Sequence, residues 1–211
     1  SAKILTIGAF VTQVTNIENH LVERGVSFPY HYFVDHEGCS TTFYLFDFAG
    51  KMSGFQTYNP NGIRAISGSG RRQKEAFKDL AKYWTYVSKG EHNRRLNVVW
   101  GLETLALHKD VVFVTEGVFD SVKVHNFGMP SLAVLSNDPC DDIMTQFSLL
   151  KRTKTVVVLC DADAAGTKLA KLGHFAFRTP SFDGKKDLGD LTQEEANQFL
   201  CAVLFEVGKH A

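Results

Sequence analysis

Several features that would place a chain in a common class are missing here. Only four cysteines occur in 211 residues and none forms a Cys-x-x-Cys pair, which disfavours a zinc ribbon and predicts reduced thiols. No apolar run approaches the roughly 18 residues that a transmembrane helix needs. The N-terminus has no signal-peptide pattern. We therefore expect an intracellular, cytoplasmic protein with no membrane partner.

The chain also lacks net charge, with 23 Lys+Arg against 23 Asp+Glu, but the charge is unevenly distributed. Residues 60–95 contain nine basic and three acidic side chains, an excess that suits an anionic partner. Tyr83, Trp84 and Tyr86 lie in the same stretch, and aromatics among basic residues are typical of a groove for single-stranded nucleic acid. A solvated helix over 71–82, followed by a strand with packed aromatics, explains the pattern equally well. Both interpretations stay open at this point.

The first hundred residues have the pattern of a mixed helix and sheet region. Helical spacing of apolar residues predicts a helix over 13–24, and Gly25 falls where it would stop. Aromatic and β-branched residues predict strands over 31–35, 41–48 and 52–58, separated by turn residues. These strands would form an antiparallel meander.

From Asp110 onwards short apolar runs alternate with segments of helical length. Runs that are apolar throughout are typical of strands buried on both faces, and their alternation with helices predicts a parallel sheet. The predicted strands are 111–115, 131–135 and 155–160, and the predicted helices are 119–126, 141–150, 164–172 and 192–207. We therefore predict an α/β fold in two parts, a basic α+β subdomain over 1–109 and a parallel-sheet domain over 110–211.

Acidic side chains follow two of the predicted parallel strands. Glu116 comes directly after the first strand, and Asp120 follows one helical turn later. Asp161 and Asp163 come directly after the third strand. Ligands of open α/β sheets bind at the carboxyl ends of the strands. The sequence thus predicts that these acids meet at one edge of the sheet.

Two further acids, Asp187 and Asp190, precede the last helix. Converging carboxylates raise each other's pKa values unless a cation compensates them. Ligation by oxygen alone favours Mg²⁺ or Mn²⁺ over zinc, and such ions commonly hold phosphates during phosphoryl transfer. Taken singly, Glu116 could be an ordinary acid at a helix N-terminus, and the Asp161–Asp163 pair could cap a helix. The ordered combination of all three segments is what indicates a metal site.

The three acidic segments resemble the signatures of the TOPRIM domain in bacterial and phage DnaG-type primases. Looser similarities to the primase N-terminal subdomain extend upstream, so that the resemblance covers roughly residues 41–190. The TOPRIM-like segments are Glu116-Gly117-Val118-Phe119-Asp120, Asp161-Ala162-Asp163-Ala164-Ala165-Gly166 and Lys186-Asp187-Leu188-Gly189-Asp190. The upstream segments are Phe46-Asp47-Phe48-Ala49-Gly50, Gly54-Phe55-Gln56, Lys82-Tyr83 and Trp100-Gly101-Leu102.

The resemblance implies a primase core that makes RNA primers from NTPs on a single-stranded DNA template, with Mg²⁺ or Mn²⁺ as cofactor. It makes catalytic acids and principal metal ligands of Glu116, Asp161 and Asp163. It adds Asp120, Asp187 and Asp190 as further metal-site acids. Contacts to template or nucleotide are expected from Lys82, Tyr83, Arg64, Arg71 and Arg72.

Two other functions are compatible with the same residues. A TOPRIM nuclease would use the acids to activate water, and a replication adaptor would keep only the DNA-binding surface; fold alone does not decide between these. The upstream segments favour the primase. The sequence contains no GxxxxGK[ST] loop and hence no P-loop helicase motor, and no zinc-binding module is evident. We therefore expect a replicative helicase or a separate zinc-binding module as a partner.

Overall fold

The aromatic and β-branched runs of the first half fold into an antiparallel meander. The computed structural model describes residues 13–26, 30, 32–63, 80–89, 97–136, 139–161, 168–180 and 187–210. The four strands pair in chain order, and one face of the sheet is buried while the other is partly exposed. The strands are β1 (Tyr32–Asp35), β2 (Ser40–Phe46), β3 (Met52–Tyr58) and β4 (Tyr83–Val87).

A short helix, α1 (Ile17–Glu23), precedes this sheet and packs its apolar side into the core. The Asn16 side chain caps it by accepting the N–H of Asn19. Gly25 ends the helix with φ +82°, a left-handed conformation that glycine adopts without steric cost. The predicted stop at Gly25 is confirmed, although the helix begins four residues later than predicted.

The second half forms a parallel sheet with strand order β6-β5-β7-β8. Its two central strands are buried on both faces, as their apolar runs predicted. The strands are β5 (Val111–Thr115), β6 (Ser131–Ala133), β7 (Thr155–Cys160) and β8 (Phe175–Arg178). The expected fold class, an α/β fold with a parallel sheet preceded by a mixed subdomain, is confirmed.

Helices cover both faces of the parallel sheet and bury its apolar residues in two clusters. They are α2 (Val118–Asn126), α3 (Asp141–Leu150) and α4 (Gln193–His210). A capping box begins α4, because Thr192 and Glu195 exchange side-chain to backbone hydrogen bonds of 2.7 and 3.2 Å. The predicted helix over 164–172 is wrong in its described part, where Leu169–Leu172 is a short 3₁₀ turn.

One extended segment joins the two sheets. Val99 exchanges two backbone hydrogen bonds with Phe46 of β2, and the next residue, Trp100, exchanges two with Ala133 of β6. Trp100 is 1% exposed and belongs to a core cluster drawn from both halves of the chain. Each large apolar side chain buried there contributes about 1.5–3 kcal/mol, so the halves stabilise each other.

None of the helices in the described residues has the length and apolar character required to cross a bilayer.

The limits of the two predicted subdomains, 1–109 and 110–211, stay a prediction.

Candidate acid site

The acid-bearing strand ends lie side by side. β5 and β7 are adjacent and parallel, with Val114 paired to Val158. Glu116 and Asp161, which follow these strands, therefore emerge at the same edge of the sheet. The N–H of Leu135, just beyond β6, donates to the backbone oxygen of Glu116 at 2.9 Å. This hydrogen bond holds the turn after β5 against the end of β6.

A cleft of about 240 Å³ opens at this edge. Four of the predicted acids line it: Glu116, Asp120, Asp161 and Asp187. The opposite wall comes from the antiparallel sheet, which contributes Gln56 of β3 and Tyr83 of β4, and from Arg24 at the end of α1. The acid site and the N-terminal subdomain thus face one common cleft.

Asp120 is the most buried of these acids, at 9% exposure. Its Oδ2 accepts the N–H of Gly117 at 3.1 Å, and its Oδ1 accepts the N–H of Gly189 at 2.7 Å. Burial raises the pKa of its carboxyl to about 8, with further upward contributions from the charges of Asp187 and Asp161, against the two backbone hydrogen bonds. The site therefore concentrates negative charge that a cation or a proton has to compensate.

The two acids before α4 occupy different positions. Asp187 lines the cleft and accepts the N–H of Asp190 through Oδ1 at 2.9 Å, which caps the 3₁₀ turn Leu188–Asp190. Asp190 is exposed and does not line the cleft; its Oδ1 lies 3.5 Å from Nη1 of Arg24. Asp190 thus borders the site, and its predicted place among the metal-site acids stays a prediction.

Arg24 is a cleft residue that the sequence did not reveal. Its guanidinium carbon lies 4.2 Å from the centre of the Phe119 ring, a favourable cation–π geometry. Its Nε is buried and has no hydrogen-bond acceptor among the residues that the structure describes. No motif surrounds Arg24, and it reaches the acids only because α1 packs beside α2. A cation among four carboxylates reduces their mutual repulsion.

Tyr83 and Gln56 form the wall opposite the acids. Tyr83 keeps 42% of its surface exposed, yet burial around its hydroxyl raises the pKa of that group. Gln56 is 8% exposed and donates to Oγ1 of Thr85 at 2.9 Å. The one sequence signal for Gln56 was its place in the segment Gly54-Phe55-Gln56, which resembles primases.

The predicted basic contacts are only partly described. Lys82 lies just before β4, and its backbone bonds to Ile63 and Asn59; it is not among the residues that line the cleft. Arg64, Arg71 and Arg72, and the predicted catalytic acid Asp163, lie outside the described residues.

The chemistry of the cleft suits a hard cation, because the potential ligands lining its wall are carboxylate oxygens, without histidine or cysteine. In the described part of the chain, no three His, Cys, Asp or Glu side chains come close enough to form a complete metal-binding group. The described acids therefore match the donor type of a Mg²⁺ or Mn²⁺ site, and the part of Asp163 in such a site stays a prediction.

Comparison with solved structures identifies the architecture. A structure of the DnaG catalytic core superposes with a TM-score of 0.56 at 18% identity, over 79% of this chain and 52% of that one. A DnaG primase catalytic domain bound to ssDNA gives 0.54 at 17% identity, over 90% and 58%. The primase fragment of the bacteriophage T7 primase-helicase gives 0.51 at 11% identity, over 77% and 62%. The fold is that of DnaG-type primase cores.

The chain spans about half to three fifths of the primase structures it matches. No protein-family model and no curated protein sequence matches it. Similarity to primase cores is thus established at the level of the fold, as expected from the sequence segments that resemble primases.

Proposed function

We propose that this chain is the catalytic core of a DNA primase, which joins NTPs into short RNA primers on a single-stranded DNA template. The observation that carries the proposal is the cleft, where acids from the parallel sheet face Tyr83 and Gln56 of the antiparallel sheet. The same two parts form the fold of DnaG primase cores. In this proposal the acid wall would bind the reacting phosphates, and the wall of the antiparallel sheet would bind the template.

Glu116, Asp161 and Asp163 are the residues that would hold Mg²⁺ or Mn²⁺, as the TOPRIM resemblance implies, and Asp187 lines the same cleft as Glu116 and Asp161. When bound, a divalent ion would stabilise negative charge on the α-phosphate as the primer hydroxyl attacks it and pyrophosphate leaves. Glu116 would also accept or return a proton as general base or acid. Asp120 would have a supporting role in the site, because both its oxygens accept hydrogen bonds from backbone N–H groups.

The basic part of the chain would hold the template and the triphosphate. Arg24 supplies a cation inside the cleft, and Lys82 precedes the strand that carries Tyr83. The excess of basic residues over 60–95 would attract the DNA backbone, so template binding is expected to weaken steeply with salt.

Partners follow from the same proposal. One of the matched structures is a primase domain bound to ssDNA, and another is the primase part of a primase-helicase. For this chain we propose a single-stranded DNA template, and a replicative helicase or a separate zinc-binding module as protein partner. Such a replication enzyme would work in the cytoplasm, or in the host cytoplasm if it is encoded by a phage.

Primer synthesis tests the proposal directly. The chain is incubated with radiolabelled NTPs, a mixed pool of single-stranded templates, and Mg²⁺ or Mn²⁺. We expect short oligoribonucleotides from the native chain, and a loss of at least about a hundredfold with Glu116→Gln, Asp161→Asn or Asp163→Asn. The matched control Asp142→Asn, at an exposed acid of α3, should keep full activity.

A parallel incubation separates this function from the nuclease alternative. Labelled single- and double-stranded DNA and RNA are exposed to the protein and metal without NTPs. Cleavage that disappears in Asp161→Asn, without any primer product, would replace the primase proposal by a nuclease. A third outcome is template binding without primer synthesis or cleavage. It would indicate an adaptor, provided that the protein is folded, binds metal and has been supplied with candidate helicase and zinc-module partners.

A further inference from the structure

The aromatic residues of β4 lie on opposite faces of the antiparallel sheet. Tyr83 pairs with Tyr58 on the inner face, and the two ring centres are 5.1 Å apart. Side chains alternate along a strand, so Trp84 and Tyr86 point to the outer face, away from the acid cleft. The groove for nucleic acid that the sequence suggested is therefore divided between two surfaces.

On the outer face the aromatic rings form a continuous row. Tyr44, Phe55 and Tyr86 are direct neighbours across β2, β3 and β4. The ring centres of Phe55 and Tyr86 are 5.3 Å apart with planes 28° apart, and those of Trp84 and Tyr86 are 6.3 Å apart at 25°. We call Tyr44, Phe55, Trp84 and Tyr86 the outer aromatic row.

The row remains accessible to a partner. Tyr86 is 47% exposed, and the nearby apolar side chains Phe33 and Met52 are 58% and 53% exposed. Cross-strand aromatic pairs do stabilise sheets, but stability alone does not require several large apolar groups to face water together. Contiguous patches of this kind mark interaction sites.

The charge around the row favours nucleic acid as the occupant. β2, β3 and β4 contain no Asp or Glu; one acid, Asp47, follows β2 and accepts the N–H of Lys51 at 3.0 Å. Exposed Lys51 and Lys89 flank the row at one end of the sheet, where the N–H of Ser88 donates to the Ser53 oxygen. The sequence that enters and leaves β4 carries the basic excess of residues 60–95. Aromatic rings beside cations are the combination that binds unpaired bases and their phosphates.

We infer that the outer aromatic row is a second binding surface, on which unpaired bases of single-stranded DNA stack. The choice of DNA rests on the proposed primase function. β4 is an edge strand among the described residues, so a DNA strand that rounds this edge passes from Tyr83 in the cleft to Trp84 on the outer face. The surface would extend the hold on the template beyond the acid site.

Trp84 provides the reporter that tests this inference. The chain has two tryptophans, and the other, Trp100, is 1% exposed. The full chain is titrated in EDTA and without NTPs with an oligo-dT of about 16 nucleotides, long enough for one site. We expect quenching of the Trp84 emission, and matching binding curves from the anisotropy of labelled oligonucleotide.

Variants then assign the binding to the row. Loss of one stacking ring in Tyr86→Ala or Phe55→Ala should weaken oligo-dT binding by roughly fivefold or more. Trp84→Phe, which keeps an aromatic ring, should retain binding but lose the quenching signal. Phe205→Ala removes a ring that is 66% exposed on α4, and should bind as the native chain does. Circular dichroism and the thermal midpoint confirm that each variant is folded.

Several results would overturn the inference: unchanged Trp84 emission at saturating oligo-dT, native affinity in Tyr86→Ala, or equally good competition by duplex DNA. Self-association through the row, lost in Tyr86→Ala, would assign the surface to a second copy of the chain instead. The inference and the proposed function fail separately. Normal primer synthesis without quenching would remove only the outer surface, whereas quenching without primer synthesis would remove only the primase activity.

Discussion

The carboxylate of Asp120 accepts a 2.7 Å hydrogen bond from the backbone N–H of Gly189. Its second oxygen accepts the N–H of Gly117. One buried side chain thereby joins the turn that follows β5 to the turn that carries Asp187. The position of Glu116, in the first turn, relative to Asp187, in the second, depends on this bridge.

Removal of the bridge should destabilise the protein. Asp120→Ala leaves the buried N–H of Gly189 and the half-buried N–H of Gly117 without this acceptor, and we expect a loss of about 2–4 kcal/mol in the free energy of unfolding. Asp120→Asn retains an acceptor for one of them and should lose less. Urea denaturation at neutral pH measures both, with exposed Asp142→Asn as the control. Native stability in Asp120→Ala would show that the bridge does not hold the two turns.

The raised pKa of Asp120 predicts a pH dependence of stability. Its carboxyl has a pKa of about 8 in the folded chain, against an ordinary value of 3.8, so between about pH 4 and about pH 8 the folded state holds a proton that the unfolded state has lost. The metal-free protein should therefore become less stable as pH rises through this window. Unfolding in EDTA at several pH values should show a smaller decline in Asp120→Asn; equal slopes would contradict the assignment.

A second buried network predicts the opposite slope. The hydroxyl of Tyr30 lies 2.7 Å from Nδ1 of His125, whose Nε2 lies 2.9 Å from the Ser131 oxygen. Nε2 therefore donates to the carbonyl and Nδ1 accepts from the tyrosine. Burial lowers the pKa of His125 to about 4, so stability should fall as pH drops from about 6.5 to about 4, where only the unfolded state gains the proton.

Tyr30→Phe removes the donor to His125 Nδ1 and should cost about 1–2 kcal/mol at neutral pH. Chemical denaturation measures this loss. An NMR titration of the His125 ring in the native chain measures its charge, and protonation near pH 6.5 would contradict the buried neutral state.

Arg24 should oppose metal binding in the acid cleft. Its cation lies among the carboxylates that would hold a divalent ion, so Arg24→Met removes a repulsion of about 1 kcal/mol and should tighten Mn²⁺ binding roughly fivefold. Calorimetric titration with Mn²⁺ in the absence of nucleotide measures the change. Arg24→Lys should remain close to native, as should Arg152→Met at an exposed position away from the cleft. Weaker Mn²⁺ binding in Arg24→Met would contradict the prediction.

The elements with strong local patterns could be predicted from the sequence. β5 and β7 match their expected bounds because a short run of valine and other apolar residues, buried on both faces, has few alternatives. β8 was not predicted, since Phe175–Arg178 is short and alternates between half-buried and exposed positions. Its place is determined by pairing with β7, which no local pattern encodes.

The candidate site divides in the same way. Glu116 and Asp161 could be placed together because the carboxyl ends of adjacent parallel strands meet at one edge. Arg24 could not, since only the packing of α1 against α2 brings it to the acids. Strand alternation separates Tyr83 from Trp84, but the buried partner Tyr58 is needed to identify which of them faces the cleft.

The core cluster around Trp100, which is shared by the two halves of the chain, affects how the protein folds during its synthesis on the ribosome. The antiparallel sheet emerges first, but its buried face is covered by side chains such as Phe119 and Val122, which follow the sheet in the chain. Until those residues and Ala133 have been translated, only the apolar side of α1 is present to cover Phe43 and its neighbours, and it covers them in part. The nascent first half should therefore need protection by chaperones, and should acquire resistance to proteases only when the second half has folded.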